Sequence, residues 1–463
     1  MKILPRPGFA FPPIALAALA LLLSAPEAFA AKTPTYAITK AKVVTVSGAV
    51  FENATVVMRD GVLVDIGPTA AIPKDARVFD GSGLTITPGL IDAYSGSGMP
   101  ASRPAGGGGG GGGAAAAAPA TPPANPINPA SNIYERVRAS EALRARDSGV
   151  TTIVPVPREG VVFGTASVMN LIGDKPETMI VKANVGLAAS IATAGQQRYP
   201  GSLMGTMAFF RQSLLDGSHH AADAAAYEKA PSGRKRPAFD PGKEVWAGVA
   251  AGTTTLLLQT PRIGDLRRAF ALADEFKLKL ILAGNTQAFE EVALLKQRKP
   301  ALLVSVNFDP ARAGGFFGGS DDDRDRKTIE DAEKNPGALD KEGVKFALVS
   351  SFATDFLAGV RKAIEKGLPR ESALRAVTLT PAEILGVADR MGSIEKGKIA
   401  NLVVWSGEPL SKEAKIKMVF VDGELYEPEE KPAGPPGPGG PPRPADPKGE
   451  AIEGGLSHNE VKR

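Results

Sequence analysis

Cysteine is absent from the 463-residue chain, and histidine occurs only three times, at His219, His220 and His458. Without cysteine there is no disulfide framework, no thiolate-bound zinc, no thiol nucleophile and no lipid-modified cysteine anchor. With two of the three histidines adjacent and the third near the C-terminus, a metal centre built on several imidazoles lacks its ligands. A strong excess of one charge is missing too. The formal net charge is +4, so the pI near 9.0 argues little for nucleic acid, and no such partner is expected. Long apolar runs are also lacking. Beyond the first thirty residues nothing approaches the roughly 20 apolar residues that a spanning helix needs.

The chain opens with a pattern of its own. Lys2 and Arg6 precede the apolar stretch Ile14–Leu23, and Ala28-Phe29-Ala30 offers small residues before Ala31. That order reads as a secretory signal peptide over residues 1–30, which predicts export across the inner membrane, a periplasmic location and no membrane span after cleavage.

Two β-rich patches lie far apart. Residues 36–78 alternate Val, Ile and Thr with polar residues, and Asp60-Gly61 between TVVM and VLVDI is a hairpin signal. The same texture returns at NLVVWSG (Asn401–Gly407) and KMVFVDGELYE (Lys417–Glu427). One small domain assembled from 31–88 plus 400–427 is the expectation, with a larger domain, 89–399, inserted between. In that larger segment, apolar runs such as TTIVPV, TTTLLLQ, LKLILAG, ALLVSV and VKFALVSS alternate with helix-like runs such as GDLRRAFALADEF and TDFLAGVRKAIEKG. Strands apolar throughout, separated by amphipathic helices, imply an α/β fold with a parallel sheet covered on both faces. Over this length a (β/α)8 TIM-type barrel is favoured. No G-x-G-x-x-G follows the first strand, which argues against a dinucleotide site. A Gly/Ala/Pro insertion at about 100–130, including Gly106–Gly113, and a Pro/Gly-rich tail at 428–463 are expected to be disordered. Residues 217–243 read as a polar insertion around a short Ala-rich helix, with His219-His220 as a surface pair.

The motifs then carry a resemblance. TPGLIDAYSGSG (Thr87–Gly98) resembles the end of the first barrel strand in the metal-dependent amidohydrolase superfamily, where that region reads PGLIDAHxH. The run ALRAVTLTPAEILGVADRMGSIEKGKIANLVVWSGEPL (Ala373–Leu410) is similar to the C-terminal signature of its imidazolonepropionase-like branch, and KVVTVSGAVFENATVVMRDGVLVDIG resembles the opening strands. The resemblance implies a barrel inserted in a β-sandwich formed from both chain ends. It also implies hydrolysis of carbon–nitrogen bonds other than peptide bonds, with zinc or another divalent ion generating hydroxide from bound water and an aspartate taking the proton.

Carried over position by position, that chemistry meets other residues. The His-x-His pair after strand 1 matches Tyr94 and Gly96, the strand 5 histidine matches Gln259, the strand 6 histidine Gly284, and the strand 8 aspartate Ser351. Neutral Tyr, Gln and Ser are weak ligands and Gly brings none, so no metal and no other cofactor is expected. Substitutes are not evident. DDDRDR (Asp321–Arg326) lacks the Gly and Glu of a calcium loop and reads as a solvated polar loop. GGFFGGS (Gly314–Ser320) lacks the Lys-Ser/Thr of a phosphate loop. Asp355 reads as a charge in the first turn of a helix.

Three functional readings follow. The first is an exported amidohydrolase-fold protein with a degenerate metal site, a non-catalytic binding or partner subunit. Its partner would be an intact amidohydrolase homologue or a second copy, and its pocket would be Tyr94, Gly96, Gln259, Gly284, Asn285, Ser350 and Ser351, holding a small polar ligand or a peptide. The second is an active hydrolase with an atypical site. The third is a structural, envelope-associated role.

Overall fold

A computed structural model describes residues 34–100, 126–195, 198–308 and 322–428. The leader at 1–30, the Gly106–Gly113 run, GGFFGGS, Asp321, His458 and the tail from 429 on lie outside the described residues. Among the described residues no helix is long and apolar enough to cross a membrane.

The first five strands are β1 (Tyr36–Val44), β2 (Val50–Arg59), β3 (Val62–Gly67), β4 (Arg77–Asp80) and β5 (Leu84–Pro88). Asp60 and Gly61 between β2 and β3 both take positive φ, 51° and 79°. That is the backbone twist a two-residue hairpin demands of Asp-Gly. The barrel strands follow: β6 (Leu90–Ser95), β7 (Val150–Pro155), β8 (Val162–Asn170), β9 (Ile180–Ser190), β10 (Leu256–Gln259), β11 (Leu280–Asn285), β12 (Ala301–Ser305) and β13 (Ala347–Val349). The chain then returns through β14 (Leu402–Ser406), β15 (Lys415–Val421) and β16 (Glu424–Tyr426).

These strands form two sheets. The composite sheet runs β16-β15-β14-β5-β1-β2-β3, with β4 on β1. Its two halves join where β14 pairs antiparallel with β5, Leu402 opposite Pro88. Ile38, Val56, Ile86, Leu402 and Phe420 supply its core. The second sheet runs β6 to β13 in chain order and nearly closes into a barrel. Gly89 is the single residue between β5 and β6, and a Cβ there would stand 2.2 Å from Thr151 Oγ1, so a side chain at this junction would collide with β7. At the barrel's closing seam, the Ser351 N–H donates to Tyr94 O at 3.2 Å, and the Ser350 N–H donates to the Asp92 carboxylate at 2.9 Å.

β8 departs from the regular barrel pattern: it runs antiparallel to both β7 and β9. Along it, Gly164 approaches Ser131 O so closely that a Cβ would lie 2.4 Å away.

The helices depart from expectation in three places. ERVRASEALRARDSG, which reads as one helix, is broken into short turns, because the Arg138 N–H turns to Gly98 O at 2.8 Å. The Ala-rich stretch belongs to a much longer helix, Leu203–Lys229, capped where Ser202 accepts from the Gly205 N–H. Gly217 lies in its middle, where the backbone of Trp246 and Ala247 approaches to 2.6–2.7 Å of a would-be Cβ. The DDDRDR motif, expected as loop, is helical from Asp322, in the helix Asp322–Lys341.

Toward the end of the barrel where the composite sheet docks, Thr152, Asn170, Asn401 and Asp422 form a buried network. Thr152 Oγ1 donates to Asn170 Oδ1 at 2.8 Å, and Asn401 Nδ2 donates to both at 3.2 and 3.0 Å. Asn170 Nδ2 donates to the Asp422 carboxylate at 2.7 Å, and the Asp422 N–H returns to Asn401 Oδ1 at 2.9 Å. Every side chain in this loop of bonds has a partner, as burial of polar groups requires.

Candidate functional site

In a parallel barrel the strand C-termini converge on one face, and successive residues alternate between interior and exterior. Asp92, Tyr94 and Gly96 therefore share one side of β6 and its extension. Structure brings the matched positions of β10, β11 and β13 together there as well. A Cβ built on Gly284 would lie 3.3 Å from Ser351 Oγ and 3.8 Å from Gln259 Cγ. Gly284 itself has φ 75°, a conformation that glycine adopts without steric cost.

Five of the seven expected pocket residues, Tyr94, Gly284, Asn285, Ser350 and Ser351, are buried, while Gly96 and Gln259 are half-buried. Asn285 does not offer its amide to a ligand. Its Nδ2 donates to Thr260 O at 2.7 Å, and its Oδ1 accepts from the Gln287 N–H at 2.9 Å. Tyr94, Ser350 and Ser351 differ, since their hydroxyls are buried with no hydrogen-bond partner among the described residues. Burial pushes the Tyr94 phenol well above its ordinary range, so it stays neutral.

Three residues that sequence patterns do not single out complete the mouth. The Phe352 ring packs edge-on to Tyr94 at 5.6 Å. Its Cδ1 would be 2.7 Å from a Cβ on Gly96, so only glycine admits it. Arg158, following β7, donates Nη2 to Phe352 O at 3.3 Å and sets its guanidinium 5.3 Å from the ring centroid. Asp92 is 2% exposed, and burial pushes its carboxyl up against the opposing pull of the Ser350 hydrogen bonds. A carboxylate inside an apolar strand run carries the one sequence signal here, a charge where the pattern demands none.

The remaining candidates lie elsewhere. His219 is on the long helix and pairs with Asp223 at 3.1 Å, with its side chain 79% exposed. Asp355 caps the helix Phe356–Glu365 by accepting from the Ala358 N–H at 2.9 Å.

A divalent ion needs several imidazole or carboxylate donors converging on one point. Among the described residues no group of three or more His, Asp or Glu stands close enough to do so. The mouth instead offers a neutral phenol, an amide and a hydroxyl. Asp92, the carboxyl among the described residues there, already accepts from the Ser350 N–H, and burial pushes it up from its ordinary range. These residues do not fit the ion that the fold's chemistry calls for.

Comparison with known proteins agrees with the architecture. Residues 294–426 match the model of the Amidohydrolase family. An amidohydrolase of Hapsidospora irregularis is 42% identical over 62 residues, 13% of this chain and 6% of that one. The imidazolonepropionase of Erwinia tasmaniensis is 42% identical over 59 residues, 13% of this chain and 14% of that one. The matched segments are thus a small part of those relatives. The crystal structure of an amidohydrolase from Thermotoga maritima superposes with a TM-score of 0.70 at 24% identity, covering 85% of this chain and 100% of that one. The matched segment 294–426 thus carries the signature of the Amidohydrolase family, and the fold that surrounds it is the barrel with a composite β-sheet domain seen in the Thermotoga maritima amidohydrolase.

Proposed function

We propose that this chain is an exported amidohydrolase-fold protein with a degenerate metal site, acting as a non-catalytic binding subunit beside an intact amidohydrolase. The observation that carries the reading is the donor set at the barrel mouth. Where the fold's chemistry needs charged or imidazole ligands, the strand ends bear Tyr94, Gly96, Gln259, Gly284 and Ser351. The buried, unpartnered hydroxyls of Tyr94 and Ser351 favour a ligand that brings its own polar atoms, because an unsatisfied buried hydroxyl costs about 1–3 kcal/mol. Each can donate and accept, so a small polar molecule or the end of a peptide satisfies both. The leader-like pattern at 1–30 supports export, and the periplasm is the location that follows from it.

Metal analysis of the purified chain, extensively dialysed, tests the central claim. Less than a tenth of an equivalent of zinc, nickel or manganese is the expected outcome; a stoichiometric ion resisting dialysis overturns it. Affinity purification of the tagged chain from its own host tests the subunit claim, which fails if no intact amidohydrolase co-purifies. A second reading, a hydrolase of carbon–nitrogen bonds with an atypical site, draws on Asp92, a buried carboxyl two residues before Tyr94. It predicts turnover of amide or cyclic-imide substrates that Asp92→Asn abolishes.

A further inference from the structure

Ser351 and Phe352 follow β13 and both hold positive φ, 43° and 73°. Two successive non-glycine residues in the left-handed region store strain that surrounding contacts must hold in place. Those contacts come from across the mouth. Asn307, after β12, donates Nδ2 to Ser351 O at 3.0 Å. Arg158, after β7, donates to Phe352 O at 3.3 Å. The Ser351 N–H reaches Tyr94 O at 3.2 Å. Held this way, the Phe352 ring is 7% exposed, covers the edge of Tyr94 and fills the space beside Gly96.

We propose that Phe352 is the gate of the barrel mouth, a ring latched over Tyr94 by a strained two-residue turn and swung aside when a ligand enters. The inference rests on reading the mouth as a ligand site. Strain supplies the bistability. Closed, the turn is held by two side-chain donors on its carbonyls. Open, those carbonyls meet water and the backbone relaxes to negative φ. Arg158 is exposed, so its bond exchanges readily with solvent, and it is the latch that a ligand meets first. The Tyr94 hydroxyl is accessible only in the open state.

Acetylation of tyrosines by N-acetylimidazole, followed by peptide mass spectrometry on the full chain, reads that opening. Tyr199, 63% exposed, is the internal reference. In the wild type Tyr94 is expected to react slowly, limited by opening. Arg158→Ala and Asn307→Ala each remove one latch and should raise the Tyr94 rate about tenfold relative to Tyr199. Ser351→Gly lets the turn take its positive φ without strain, so it should lower that rate. Phe352→Ala should bring Tyr94 close to the reference. Circular dichroism of each variant establishes that a faster rate is not unfolding. If Tyr94 reacts as fast as Tyr199 in the wild type, or at one unchanged rate in all four variants, the gate is overturned. Neither result touches metal content or co-purification, so the gate and the binding reading fail separately.

Discussion

At the seam between barrel and composite sheet, Thr152, Asn170, Asn401 and Asp422 satisfy one another completely. At the barrel mouth, the hydroxyls of Tyr94 and Ser351 are buried without a partner among the described residues, and the adjoining backbone is strained. Both regions place polar atoms inside an apolar body, which costs free energy unless every atom is bonded. The seam meets that condition and fixes how the two sheets join. The mouth leaves it unmet, and natural proteins concentrate such unmet groups where something else is to bind. The contrast separates polar residues that bond one another inside the fold from those left without a partner there, and substitutions can sharpen or break it.

The largest effect is expected at Asn401. Its side chain bonds three partners, Thr152, Asn170 and the Asp422 N–H. Asn401→Ala leaves the Asp422 N–H without its acceptor and takes one bond each from Thr152 Oγ1 and Asn170 Oδ1, which still bond one another, a loss of about 2–4 kcal/mol of stability read by urea denaturation. A loss below about 1 kcal/mol would show that the seam relaxes or hydrates, and the contrast with the mouth would collapse.

How much of this was legible in the sequence follows the same division. Asn401 and Asp422 lie within NLVVW and VDGELY, and the expected mouth positions Tyr94, Ser350 and Ser351 within LIDAYS and ALVSS, stretches that motif and strand pattern single out, but the bonds that join Asn401 to Asn170 on β8 carry no signal in the sequence. β8 and β9 escaped because no helix separates them. The pattern of alternating strand and helix fails where one strand turns antiparallel, and Gly164 weakens the strand signal of β8. The long helix was underestimated because Gly217 looks like a break, whereas it serves the close approach of Trp246 and Ala247. Phe352 and Arg158 were not readable at all. Their roles arise from the left-handed backbone at Ser351-Phe352, and no residue type announces such a conformation when glycine is not used.

An intermediate effect, with a pH signature, belongs to Asp92. Its folded-state pKa lies above the ordinary 3.8, because burial outweighs the Ser350 hydrogen bonds. Below the unfolded-state value the carboxyl is protonated in both states and carries no penalty. As pH rises, the unfolded chain ionises first, so stability falls until the pH passes the folded-state value. Asp92→Asn keeps an acceptor for the Ser350 N–H and removes the ionisation. The variant should be more stable than wild type at pH 7, by about 1–3 kcal/mol, and the two should converge below pH 3.8. Parallel denaturation curves at all pH values would mean that Asp92 is not desolvated in the folded chain.

The smallest effect is expected at the mouth itself. Tyr94→Phe deletes a buried hydroxyl that has no partner among the described residues, so nothing there is left stranded and a desolvation penalty disappears. Stability should stay within about 1 kcal/mol of wild type or rise slightly, although the residue is fully buried and packs against Phe352. Thr152→Val makes an equally conservative change at the seam, yet it breaks the bonds to Asn170 and Asn401 and should cost about 1–3 kcal/mol. Equal costs for the two would mean that the Tyr94 hydroxyl is bonded after all, to water held inside the mouth, and that the site is already satisfied without a ligand. A clear difference leaves the hydroxyl free for one.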